Sequence, residues 1–141
     1  MTEPAEFFDL YRQGFARVAV AVPRCRVADP AFNGEQSIAL LQQAAREGAA
    51  LVAFPELGLS AYSCDDLFHQ RALLDGCEAA LAHIVAASES LATVAVVGLP
   101  LRVDHSLFNC AAAVQRGRLL GIVPKTYLPN YGASYEARPF N

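Results

Sequence analysis

The sequence predicts an α/β fold built on a mixed sheet, and three patterns predict it. Strand-length apolar runs alternate with stretches of helical periodicity through the first two thirds of the chain. Two more strand-like runs then follow each other directly, joined at Arg116-Gly117. Pro and Gly residues close most of these runs. Alternating helices and strands imply a sheet with helices packed on it, and a late hairpin makes that sheet mixed.

Each element follows from local pattern. Glu6 to Phe15 reads as a short helix with Phe7, Leu10 and Tyr11 as its apolar stripe, so residues 1–16 form a helical lead-in. Arg17-Val-Ala-Val-Ala-Val22 is a buried-strand run closed by Pro23. Asn33-Gly34 opens a second helix, Ile38, Leu41 and Ala45 recur at helical spacing, and Gly48 stops it. Ala49 to Phe54 is a strand ended by Pro55, and residues 55–63 are loop. Asp65 is a candidate N-cap for one long helix from Leu67 to Leu91, with Leu73, Cys77, Leu81 and Ile84 on one face. Thr93 to Gly98 is a third strand, and Leu107 to Val114 with Arg118 to Val123 form the hairpin. After Pro124 the chain carries Pro129, Gly132, Pro139 and several aromatic rings, and turns irregular.

Composition removes several classes of function. Hydrophobic residues make up 54% and charged residues 18%, which argues against disorder. A net charge of −3 and the lack of any basic run argue against nucleic acid as a partner. No apolar stretch reaches the roughly 20 residues a membrane helix needs, and the acidic start has no signal-peptide order. The expectation is a soluble, cytoplasmic protein without a membrane partner. Cys25, Cys64, Cys77 and Cys110 show no C-x-x-C pair, and with His69, His83 and His105 they complete no zinc pattern. They read as four structural thiols, and no metal ligand is expected.

Two residues stand where chemistry gathers. Glu56 directly follows a strand, in Phe54-Pro55-Glu56-Leu57-Gly58, and strand C-terminal ends collect ligands in α/β proteins. Its apolar neighbours suggest partial burial, and a partly buried carboxylate has a raised pKa and can serve as a general base. The plainer reading is an exposed loop glutamate. Lys125, in Pro124-Lys125-Thr126-Tyr127-Leu128-Pro129, also follows a strand and is the only lysine beside ten arginines. A compact ammonium aimed at a developing oxyanion makes physical sense there. A lysine placed by chance is the alternative.

These two strings, 69 residues apart, resemble the glutamate and lysine motifs of the carbon–nitrogen hydrolase, or nitrilase, superfamily. Tyr135-Glu136-Ala137-Arg138-Pro139-Phe140 is similar to the segment bearing that family's second active-site glutamate. The strings Arg17 to Arg24, Val27-Ala28-Asp29-Pro30 with Asn33, Tyr62-Ser63-Cys64-Asp65-Asp66-Leu67-Phe68 and Leu128-Pro129-Asn130-Tyr131 narrow the resemblance. They are similar to the glutamine-hydrolysing domain of glutamine-dependent NAD synthetases.

The resemblance implies an α-β-β-α sandwich, of which residues 17–141 would be the N-terminal part. It implies Glu56 as general base, Lys125 as oxyanion stabiliser and Glu136 as the group that orients Lys125 and the substrate amide. A satisfied surface glutamate is the other reading of Glu136. Tyr131, and less directly Tyr62, would line the pocket for L-glutamine. The family nucleophile is a cysteine some tens of residues past the lysine motif, and the chain ends 16 residues after Lys125. The resemblance therefore implies a fragment that stops before its catalytic cysteine and is inactive alone. Ammonia would pass to a separate C-terminal synthetase domain using ATP and Mg2+, in a homo-oligomeric full-length protein. No Gly-rich phosphate loop occurs in these residues. Another nitrilase-type amidase, or a non-catalytic remnant serving as an interaction module, are the competing readings. Half a sandwich would also leave an uncovered apolar face prone to aggregation.

Overall fold

The computed structural model describes residues 8–132 and 134–141. One five-stranded sheet runs in sequence order: β1 (Val18–Val20), β2 (Leu51–Ala53), β3 (Val94–Val103), β4 (Ser106–Gln115) and β5 (Arg118–Pro124). The first three strands are parallel and the last three antiparallel, so the sheet is mixed as expected. Helices α1 (Pro30–Arg46) and α2 (Arg71–Ala87) supply the two parallel crossovers.

Both helices pack on one face. Ala19, Val52, Ala95, Val97, Ala112 and Val114 turn toward them, and Leu41, Leu74, Cys77 and Ile84 close the layer. Full burial of each such Leu or Ile is worth roughly 1.5–3 kcal/mol. The helices meet closely at Gly34, where an added Cβ would lie 3.1 Å from the Ala80 Cβ. The opposite face has no helix. Val18, Val20 and Val22 alternate with the inward Ala19 and Ala21 and stand exposed on it, as does Val123, paired across from Ala111. No helix among the described residues is long and apolar enough to cross a membrane.

Four local expectations are corrected. The N-terminal helix falls partly outside the described residues, and the described part is turns, with Gln13 and Gly14 N–H donating to Leu10 and Tyr11 carbonyls. Helix α1 starts four residues before Gly34. Asp29 caps it by accepting the Phe32 N–H at 3.1 Å, and Pro30 takes the first turn, where a missing N–H costs nothing. The expected helix Leu67–Leu91 is two pieces, a 3-10 turn (Asp65–His69) and α2, broken where Gln70 becomes extended. Asp65 is not a cap but sits in left-handed conformation at φ +46°. The break lets Phe68 turn inward against Phe140, ring centroids 5.1 Å apart, while α2 keeps its own stripe on the core.

Strand β3 also runs five residues past Gly98, through Pro100. Val96 and Gly98 present their carbonyls toward β2 and its loop, so the absent Pro100 N–H points to that side too. Strand β2 has already ended at Ala53, and no ladder bond is lost.

Candidate active site

The Glu56 loop begins where β2 ends. Phe54 N–H donates to Val96 O at 2.9 Å, and the chain then leaves the sheet. Leu57 at φ +50° and Ala61 at φ +71° reverse it, which sends Leu57 and Leu59 into the core and leaves Glu56 pointing out. Such left-handed non-glycine residues cost of order 1–3 kcal/mol and cluster at functional sites. The apolar flanks therefore do not bury Glu56, as the sequence had suggested. Its side chain is 43% exposed. Two fixtures hold the loop. Asn33, fully buried on α1, accepts the Arg26 N–H and donates to the Arg26 and Leu59 carbonyls. Gly98 on β3 lies directly beneath it, where a Cβ would come within 2.5 Å of Leu57 N.

Lys125 comes from the far side of the sheet. It follows β5, and its N–H donates to Asn109 O on β4 at 2.7 Å. Its Nζ donates to Glu56 Oε1 at 2.7 Å and to Glu136 Oε2 and Oε1 at 2.8 and 3.0 Å. Burial alone opposes the ammonium, but the hydrogen bonds and charges of Glu136 and Glu56 together outweigh it, and the Lys125 pKa is raised. Glu136 is 6% exposed, so it is no surface glutamate. Its own N–H donates to Pro129 O, and Oε1 also accepts the Tyr62 hydroxyl at 2.6 Å. That bond, together with burial and the Glu136 charge, pushes the Tyr62 pKa up to about 12.

The segment bearing Glu136 is tied to the loop after Glu56. Tyr135 OH donates to Asp65 at 2.7 Å, Arg138 pairs with Asp66, and Phe140 packs on Phe68. The polar contacts are exposed and contribute little each; the buried Phe140 is the firmer anchor. Glu56, Lys125 and Glu136 thus meet in one cluster although they lie on three separate segments. Tyr62 joins it through Glu136. Tyr131 stands 78% exposed and, among the described residues, makes no side-chain hydrogen bond to the cluster.

One member was not anticipated. Asn109, 4% exposed on β4, donates its side-chain amide to Glu56 Oε1 at 2.5 Å. A lone amide inside the apolar run Leu107–Val114 was the available signal, since Asn is depleted from strands. Two hollows flank the cluster. One, about 230 Å³, is lined by Tyr62, Asp65, Phe68, Tyr135, Glu136 and Arg138. The other, about 330 Å³, lies on the helix-free face against Glu56, Gly98, Asn109 and Lys125.

Among the described residues none of the four thiols hydrogen-bonds the cluster. Cys64, Cys77 and Cys110 are buried, and desolvation raises each, Cys77 to about 12; burial also raises the exposed Cys25. Raised thiols hold little thiolate at neutral pH. No group of three or more His, Cys, Asp or Glu side chains among the described residues is placed to hold a metal.

Comparison with known proteins bears on the family and the fold. The family model for carbon-nitrogen hydrolase matches residues 17–140. A glutamine-dependent NAD(+) synthetase of Mycobacterium tuberculosis is 44% identical over 132 residues, covering 94% of this chain and 19% of that protein. One from Xylella fastidiosa is 39% identical over 127 residues, covering 89% of this chain and 23% of its own length. The chain thus spans about a fifth of the curated relatives it matches. Among solved structures, a glutamine-dependent NAD(+) synthetase from Cytophaga hutchinsonii superposes with TM-score 0.83 at 25% identity, over 89% of this chain and 21% of that one. An amidase from Nesterenkonia sp. shares the fold with TM-score 0.71 at 22% identity, over 89% of this chain and 47% of that one.

Proposed function

The chain belongs to the carbon–nitrogen hydrolase family, and from that premise we propose that it supplies the base and the oxyanion cation of a glutamine amide hydrolase. One observation carries the reading: a single ammonium, Lys125 Nζ, is bridged between Glu56 and Glu136 where the strands end. Among the described residues Glu56 Oε2 has no hydrogen-bond donor. It takes the proton of an incoming cysteine thiol. The thiolate attacks the side-chain carbonyl of L-glutamine, and the oxyanion that forms is met by Lys125. The protonated Glu56 returns its proton to the leaving nitrogen, ammonia departs, and water hydrolyses the thioester. Glu136 keeps Lys125 charged and aimed, and Tyr62 holds Glu136. Tyr131 is a candidate wall of the glutamine pocket by its place in the Leu128-Pro129-Asn130-Tyr131 string.

The nucleophile of this scheme is not one of the four raised thiols, so this segment alone does not hydrolyse glutamine. The 44% identity to a glutamine-dependent NAD(+) synthetase supports NAD synthesis as the destination of the ammonia. A synthetase domain elsewhere in a longer, homo-oligomeric polypeptide would use ATP and Mg2+ to amidate nicotinic acid adenine dinucleotide. A second sheet from that polypeptide would cover Val18, Val20 and Val22 and complete the α-β-β-α sandwich.

The test is ammonia release from L-glutamine by the complete polypeptide and by residues 1–141 alone. The complete protein should release ammonia and lose it on Glu56→Gln and on Lys125→Ala. Release by residues 1–141 that disappears on Glu56→Ala would overturn the assignment of the nucleophile.

A further inference from the structure

We propose that Asn109 is a positioning residue that divides the two carboxylate oxygens of Glu56 between two tasks, holding Oε1 so that Oε2 alone receives the proton. The inference deepens the reading of Glu56 as the base and rests on it. Among the described residues every hydrogen bond to the Glu56 carboxylate falls on Oε1: Asn109 Nδ2 at 2.5 Å and Lys125 Nζ at 2.7 Å. The amide must present nitrogen, because its oxygen at that distance would repel a carboxylate. Two donors on one oxygen draw charge there and stop the carboxylate from turning about its axis. The other oxygen keeps its lone pairs for the thiol.

The second hold is through the backbone. The Asn109 carbonyl accepts the Lys125 N–H at 2.7 Å, so one residue of β4 fixes both partners of the Glu56–Lys125 pair. It sits rigidly for this. Asn109 is 4% exposed, and its register partner on β3 is the fully buried Pro100. An amide also adds a donor without adding charge, which leaves Lys125 the cluster's only cation. A leucine there would fill the space and leave Oε1 with one donor. An aspartate would keep the shape and set two carboxylates against each other.

The experiment uses the complete natural polypeptide with its own cysteine, assayed for ammonia release from L-glutamine across pH. Asn109→Ala should lower kcat by about 10- to 100-fold, the scale of a misplaced reacting group, with KM nearly unchanged. The acidic limb of kcat/KM should move to higher pH, because ionised Glu56 has lost a donor. Asn109→Asp, which keeps the volume and carries the test if the alanine variant fails to fold, should move that limb further. A merely structural role would lower the melting temperature and leave the pH profile in place. Wild-type pH profiles in both variants, with Glu56→Gln inactive, would overturn the positioning role and spare the base. An active Glu56→Gln would overturn both.

Discussion

Replacing Gly98 by alanine should displace Glu56 without dismantling the sheet. A Cβ at 98 would stand 2.5 Å from both Leu57 N and Pro55 O and 2.9 Å from Glu56 Cα. Ordinary contact begins near 3.4 Å, so either β3 sinks or the loop retreats by about 0.9 Å. The neighbours are backbone atoms and cannot rotate away. Leu59 N–H also donates to Gly98 O at 3.1 Å, so loop and strand are coupled. Overpacking of this kind costs about 1–3 kcal/mol, and a shift near 1 Å at a reacting group costs about 100-fold in rate. Urea unfolding and glutamine-dependent ammonia release by the complete polypeptide measure the two effects. Gly121→Ala on β5 is the control, since nothing lies within 4 Å of its Cβ position. Equal kcat for Gly98→Ala, Gly121→Ala and the parent protein would refute the claim that this close approach places Glu56.

Three further outcomes are expected. Asn33→Ala strands the Arg26 and Leu59 carbonyls and the Arg26 N–H that Asn33 now satisfies, and should cost about 3 kcal/mol by chemical denaturation; a loss under 1 kcal/mol would show that water replaces the amide. Above pH 10 stability should fall. Tyr62 and Lys125 both have raised folded pKa values, so their contribution is complete below the unfolded values and fades as pH climbs toward about 12 for Tyr62. The 295 nm titration of the parent protein minus that of Tyr62→Phe should therefore show one late tyrosine, and a difference curve centred near pH 10 would contradict it. Residues 1–141 alone should self-associate through the helix-free face, where Val18, Val20, Val22 and Val123 are exposed. Val18→Lys with Val20→Lys should reduce the scattering mass, and a parent chain already monomeric with cooperative unfolding would dismiss the idea.

Much of the site was legible in sequence because its chemistry sits at strand ends. Glu56 and Lys125 each follow an apolar run directly, and Glu136 lies in a string that resembles its counterpart in the family. The hairpin was legible for a backbone reason: Arg116 at φ +50° and Gly117 at φ +69° form the tight turn their dipeptide suggests. Helix starts were less legible, because Asn33-Gly34 mimics an opening signal. Its real duties are a buried amide link and a close helix contact.

By itself the sequence determined which residue types stand ready: one lysine, a glutamate after β2, and a second glutamate in an irregular tail. Strand periodicity and turn residues act over a few positions, so they survive in a linear reading. Tertiary structure alone decided that Glu56 is exposed, that Tyr62 spends its hydroxyl on Glu136, and that Asn109 and Gly98 underlie Glu56. The last of these depends on the register of β3 against β4, which pairs Gly98 with Ala111 and Pro100 with Asn109. A shift of one residue would turn Asn109 to the helix side and leave Glu56 with Lys125 alone, because neighbouring side chains on a strand point to opposite faces.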